Sequence, residues 1–269
     1  MPSSLSVPAT EIVNESLPPF PSMLSPGATV VPVAARACNT PVATSSAASL
    51  TKASVLAVSF KVDESGKAAD AVAAVIVATA LVTSAEDGAF VAVAVATKVF
   101  EDLGFDSYGI DLSDYSNKVL KKGKFFQLDL LTDNLPFQNE SFDIIYSKSV
   151  IEHFHFPEKI IELAKNLLKK NGIIITLTPE WRYNVKDFYE DYTHRTPFSK
   201  ESMTDILLIN GFKDVEVESF KQLPSLWHGN IFLKVISEIA RLFSPSSLRN
   251  KNKFIKFSKE IMLLSKATK

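Results

Sequence analysis

The chain has 269 residues, a formal net charge of −1, and 46% hydrophobic against 22% charged residues. That balance is ordinary for a soluble globular protein and leaves no global field to draw the chain to nucleic acid or to an anionic membrane. The one cysteine, Cys38, excludes an intrachain disulfide and any cysteine-cluster metal site, and it fits a reducing, cytoplasmic setting.

Residues 1–70 read as an N-terminal extension ahead of a larger domain over 71–269. No basic stretch followed by an apolar core opens the chain, so no secretory signal is expected. Glu11, Glu15 and the absence of arginine before Arg36 argue against a transit peptide. The longest apolar run, AVAAVIVATALV at 71–82, is shorter than the about 20 residues a bilayer span needs. It reads as a buried strand or a core helix. Composition then breaks. Of the 71 residues Ala28–Lys98, 21 are Ala and 14 are Val, but only Ala164, Ala240 and Ala267 follow, while phenylalanine goes from three before residue 99 to sixteen after. Three explanations fit: a low-complexity segment, a separate Ala/Val-rich domain, or small side chains written in place of the true ones. The break falls inside one supersecondary unit and not at a linker, which favours the last.

From residue 99 the pattern is legible. KVFEDLG ends a helix, with Gly104 after its last turn. DSYGIDL, KFFQLDLL and SFDIIYSKSV each hold a short strand. PEKIIELAKNLLKKNG is a helix whose apolar stripe is Ile160, Leu163, Ala164, Leu167 and Leu168, stopped by Asn171-Gly172. IIITLT is a continuous apolar strand, as in a sheet buried on both faces. SKESMTDILLINGF is a helix with Ser199 as N-cap and Asn210-Gly211 as its stop. DVEVESF alternates as a strand, and KEIMLLSKA closes the chain as another. Between those two strands, residues 226–244 form an amphipathic helix with Trp227, Ile231, Val235, Ile239 and Leu242 on one face. Arg249, Lys251, Lys253, Lys256 and Lys259 follow it. Packing of this helix on the domain is the favoured reading; a lid over a hydrophobic or anionic acceptor, or membrane-surface contact through 226–260, is the functional one.

Strands alternating with helices imply an α/β, doubly wound sheet, in which ligands bind beyond the carboxyl ends of the strands. The first strand end places Asp111 where an acid can accept both hydroxyls of a ribose, ahead of its other reading as a helix cap. The second places Asp129 where a carboxylate can accept from an exocyclic amine, with Asp133 a solvated loop acid in the same turn. The third releases Ser147 and Lys148, then Glu152 and His153 on a short helix. His153 near a cofactor can act as a general base; His155 reads as a packing residue. Glu152 and His153 are adjacent, so on a helix they diverge, and no metal pair is expected.

In combination, YGIDLS, FFQLDLLTDNLPFQNESFDIIYSKSVIEHF and LLKKNGIIITLTPE resemble the class I, S-adenosylmethionine-dependent methyltransferases, in the group acting mostly on small molecules and lipids. The likeness covers roughly 88–220. It implies a mostly parallel, seven-stranded, Rossmann-like sheet with an antiparallel last strand. It also implies S-adenosylmethionine as cofactor, S-adenosylhomocysteine as product, and a small-molecule or lipid-like acceptor. By resemblance, Asp111 with Leu112 meets the cofactor's ribose, Asp129 with Leu130 its adenine, and Ser147 and Lys148 its methionine end. The family's glycine-rich turn falls at AVAVA, 92–96, so Ala92 and Ala94 take the place of glycines. Alanine at a positive φ costs on the order of 1 kcal/mol or more.

On that reading a nucleophile attacks the sulfonium methyl, and the protein supplies alignment and proton removal. His153 and His194 are the candidate catalytic residues, His194 because YTHRTPF lies on the loop after the fifth strand. Trp181 and Tyr192 read as lid-packing residues at least as well as acceptor contacts. Two rivals stay open. One is a non-catalytic binding protein on the same fold, favoured by AVAVA as written; the other is a nicotinamide-dependent oxidoreductase, opposed by the D…LPF loop and the closing strand.

Overall fold

The computed structural model describes residues 96–98, 100–102, 106–112, 124–223, 226, 231–243 and 252–269. The run at 71–82 and the expected turn residues Ala92 and Ala94 lie outside them. Ala96, the last of AVAVA, is helical and buried.

Six strands are described. β1 (Gly109–Asp111) runs parallel to β2 (Phe125–Gln127), with Ile110 opposite Phe126 and Asp111 opposite Gln127. β3 (Phe142–Lys148) is joined to β4 (Leu168–Pro179) by helix α1 (Pro157–Leu167), a crossover that makes the two strands parallel. After β4 come the one-turn helix α2 (Trp181–Asn184) and helix α3 (Lys200–Ile209). β5 (Lys213–Lys221) follows, then α4 (Ile231–Phe243), α5 (Lys253–Lys259) and β6 (Ile261–Thr268). β6 is antiparallel to both its neighbours, giving the order β3-β4-β6-β5. No helix among the described residues is long and apolar enough to cross a membrane.

The two central strands carry the core. Ile174, Ile175 and Leu177 of β4 and Met262, Leu263 and Leu264 of β6 are buried on both sheet faces, which explains their unbroken apolar runs. α1 covers the sheet with Ile160, Ile161, Ala164 and Leu167. α3 adds Met203 and Leu207. Its start is fixed by a capping box: Ser199 Oγ accepts from Ser202 N–H, and Ser202 Oγ accepts from Ser199 N–H at 2.9 Å. Its end turns through Gly211 at φ 77°, a left-handed geometry that glycine adopts freely.

Two boundaries differ from the sequence reading. α1 stops at Leu167, not at Asn171-Gly172. Leu168 continues the helical periodicity as a buried residue, but its backbone is already extended, with ψ 137°, and it pairs with Phe142 of β3. Gly172 serves instead as a point of close approach, since a Cβ there would lie 3.0 Å from the Asp143 carbonyl. The second difference is α5, a helix formed in the lysine-rich stretch for which the sequence pattern predicts no element. Asn252 caps it, accepting from the N–H groups of Phe254 and Ile255.

Helix α4 forms where the periodicity placed it, but its apolar face points outward. Ile231, Phe232, Val235, Ile236, Ile239, Leu242 and Phe243 are each at least 50% exposed. The polar side faces the fold: Ser237 is buried, and Lys221 of β5 donates to Ser237 Oγ at 2.9 Å and pairs with Glu238. The favoured expectation of a helix packing its apolar face on the domain is thus reversed.

Candidate active site

The parallel strand ends gather polar groups. Asp111 closes β1 and is 2% exposed; its carbonyl accepts from Leu128 N–H, which locks the β1 and β2 ends together. Leu112 is half-buried, its carbonyl accepting from Gln127 Nε2. At the end of β3, Ser147 Oγ is buried without a hydrogen-bond partner. At the end of β4, Glu180 is buried with Oε2 likewise unpartnered. A buried polar atom without a partner costs about 1–3 kcal/mol, so two on one sheet edge point to a polar ligand there. Burial lowers Lys148 to about 8, a shift opposed by Glu260 and reinforced by Lys256.

Asp129 divides its functions. Oδ1 accepts from Leu131 N–H at 2.9 Å, an Asx turn, while Asp133 Oδ2 accepts from Asp129 N–H at 2.8 Å. Leu130 buries its side chain in the main core, so only its backbone is on offer to a ligand.

A second cluster lies after β3. Residues Ile151–His153 form a 3-10 turn, and the Glu152 carbonyl accepts from the N–H groups of both Arg195 and Thr196. Thr196 Oγ1 adds a bond to the Phe154 carbonyl. These bonds dock the loop 188–196 on the turn and bring His194 against His153, ring centroids 4.7 Å apart. Glu152, His153 and His194 are all buried, with ligand-type atoms within 4.8 Å of one another. The divergence expected of Glu152 and His153 does not occur, because a 3-10 turn buried on all sides replaces the two-faced helix assumed.

Hydrogen bonding fixes the proton positions in this cluster. Glu152 Oε2 accepts from Thr178 Oγ1 at 2.8 Å, and Oε1 has no partner. The Thr193 hydroxyl donates its one proton to Asp191 at 2.6 Å, so its 2.9 Å contact with His153 Nδ1 makes that nitrogen the donor. His194 Nδ1 faces the Phe188 carbonyl at 2.6 Å and must also donate. Burial pushes the Glu152 carboxyl up to about 8, against the Thr178 hydrogen bond. Burial, with His194 beside it, pushes His153 down. Burial alone would raise Asp191, but the hydroxyl and N–H of Thr193 hold it below the usual range.

Of the residues singled out from sequence, Asp111, Leu112, Asp129, Leu130, Ser147 and Lys148 stand at strand ends, and His153 and His194 meet in the second cluster. His155 is exposed, Tyr192 is 57% exposed, and Trp181 packs edge-on to Phe188. Sequence reasoning missed Thr178, Glu180 and the Asp191–Thr193 pair. Glu180 was findable, since it follows β4 as Asp111 ends β1.

The fold is α/β, with Asp111, Ser147 and Glu180 at the carboxyl ends of parallel strands, the place where such folds bind their ligands. Residues 91–176 match the methyltransferase domain family. That match agrees with the resemblance to the class I, S-adenosylmethionine-dependent methyltransferases. An uncharacterized protein of Methanocaldococcus jannaschii is 27% identical over 127 residues, 44% of this chain and 62% of that relative. Among solved structures, a SAM-dependent methyltransferase from Archaeoglobus fulgidus aligns with TM-score 0.47 and 19% identity over 64% of this chain and 80% of its own. A phosphoethanolamine N-methyltransferase 2 of Haemonchus contortus, solved with phosphomonomethylethanolamine and S-adenosylhomocysteine, aligns with TM-score 0.44 and 18% identity. That alignment covers 65% of this chain and 46% of the other.

Proposed function

We propose that the protein is a S-adenosylmethionine-dependent methyltransferase acting on a small-molecule or lipid-like acceptor and releasing S-adenosylhomocysteine. The observation that carries this is Asp111, buried at the carboxyl end of β1 inside the matched segment. When bound, the cofactor supplies a methyl group activated by its sulfonium. Asp111, with Leu112 beside it, receives the ribose hydroxyls. Asp129 offers Oδ2, the oxygen its own turn leaves over, to the adenine amine, with the Leu130 backbone alongside. Ser147 and Lys148 flank the methionine end, where the unpartnered Ser147 hydroxyl gains a partner. By the resemblance, Ala92 and Ala94 stand in sequence where the family's glycines meet the cofactor. The six described strands form a β1-β2 pair and a four-stranded β3-β4-β6-β5 sheet, which we read as parts of one doubly wound, seven-stranded sheet. His153 and His194 form the acceptor side, each presenting Nε2 toward the place where an acceptor loses its proton.

Titration calorimetry with S-adenosylmethionine, S-adenosylhomocysteine and NAD tests this on protein whose sequence is verified by mass spectrometry. The first two bind and NAD does not. Asp111→Asn weakens both by about tenfold or more, since hydrogen bonds to a charged group are worth about 1.5–3 kcal/mol. If neither compound binds the verified protein, the reading fails.

The outward face of α4 favours the lipid-like acceptor over a freely diffusing one. Its exposed Ile and Phe side chains, followed by Lys256 and Lys259 of α5, suit a cytoplasmic protein that rests on an anionic lipid surface through 226–260. Co-sedimentation with anionic vesicles checks it, and Phe232→Asp with Ile236→Asp abolishes the association.

A further inference from the structure

We propose that Glu152, His153 and His194 form a binding site for one divalent transition-metal ion, with Zn2+ the best match to the donors. Convergent acceptors carry the proposal, two of them buried without a partner. Both histidines commit Nδ1–H to fixed oxygens, His153 to Thr193 Oγ1 and His194 to the Phe188 carbonyl. In the neutral tautomer each Nε2 then carries a lone pair. Glu152 adds Oε1, a carboxylate oxygen once ion binding displaces the carboxyl proton to solvent. A hydrogen-bonded cluster with a purely structural role would set donors against these acceptors. Here His153 Nε2 and Glu152 Oε1 are both buried without any partner, and the three residues converge within 4.8 Å.

The surroundings are those of a ligand set. A metal-bound histidine characteristically donates its second N–H to a carbonyl or carboxylate, which fixes its tautomer and ring orientation. His194 does so directly to Phe188, and His153 does so through Thr193 to Asp191. The Glu152 carboxylate is held by Thr178 on β4. Two imidazoles and one carboxylate match three-ligand zinc sites that keep a fourth position for water or substrate. Closing on an ion asks these side chains to move inward by roughly 1 Å. Sequence reading missed the site because Glu152 and His153 are neighbours, whereas the third member comes from the loop docked by Arg195 and Thr196. Ion binding does not depend on the methyl-transfer reading. That reading supplies only the ion's role: with both Nε2 atoms taken as ligands, the ion replaces the histidines at the acceptor side, drawing an acceptor oxygen or nitrogen to the open position and making its proton easier for water to remove.

The test uses the full chain, stripped with a chelator. Calorimetry with Zn2+ shows one ion per chain, and Co2+ produces the visible absorption of a low-coordinate nitrogen and oxygen site. Glu152→Gln and His194→Gln each lower affinity about tenfold or more, while His155→Gln, at an exposed position, leaves it unchanged. As a check needing no variant, Zn2+ shifts the imidazole NMR signals of His153 and His194 and no others. Absence of saturable uptake, uptake that survives both substitutions in folded protein, or shifts confined to other histidines would overturn the proposal. Cofactor titration run alongside separates the two readings, because ion uptake without S-adenosylmethionine binding defeats only the methyltransferase.

Discussion

Glu152, His153 and His194 are buried, whereas Ile231, Phe232, Ile236 and Phe243 of α4 are at least half exposed. The two regions lie in one chain with an ordinary core of Ile, Leu and Phe between the strands and helices. In the first, a 3-10 turn and a docked loop hold polar atoms inside with their hydrogen bonds incompletely matched. In the second, a salt-bridged polar face turns inward and the apolar face meets solvent. Both departures oppose what the hydrophobic effect alone would select. Local rules fail most informatively where a surface is shaped for something outside the chain.

The contrast can be broken most forcefully with one truncation made in two places. Ile145→Ala, in the core at 0% exposure, costs about 2–5 kcal/mol. Ile239→Ala, at 51% exposure on α4, changes stability by no more than about 0.5 kcal/mol. Urea midpoints of the two variants decide it, and equal losses would mean that α4 packs its apolar face inward.

Buried charge provides the next test. The folded pKa of Lys148, about 8, lies below its ordinary 10.5. Between those values the unfolded chain binds the extra proton, so the stability contribution rises with pH from 8 to 10.5 and is flat below 8. At about 1.4 kcal/mol per unit, the span is at most about 3.5 kcal/mol. Lys148→Met flattens that part of the stability–pH curve, measured against the wild type. Glu260 and Lys256 face this amine and remain in both proteins.

Smaller effects follow. Tyr146 is fully buried with its hydroxyl unpartnered, and Tyr146→Phe stabilises by about 1 kcal/mol because the desolvation cost disappears. A loss on that substitution would show that the hydroxyl has a partner in solution. Smallest is Ile236→Gln on α4, within about 0.5 kcal/mol in thermal denaturation, while vesicle association still falls.

Much of this was legible in the residues. The strand ends followed from apolar runs that stop at Asp111 and Ser147, and the α3 boundaries from Ser199 and Gly211. The end of α1 was not legible, because Leu168 fits a helical stripe and an extended core residue equally well. Periodicity found α4, but a period says only that one face is apolar, not which way it points. The Glu152–His153–His194 cluster required a contact between residues more than 40 apart in sequence, set by two backbone hydrogen bonds that no local pattern encodes.

β6 stands last among the described strands in sequence but between β4 and β5 in space. A ribosome feeding out this chain therefore delivers β5 before the only neighbour it pairs with among the described strands. Until 261–268 emerges, the open edge of β4 and the whole of β5 are available to strands of other chains. At the pace of translation that interval lasts on the order of seconds. Truncation ahead of Ile261 would leave it permanent, turning a late-closing sheet into a surface for aggregation.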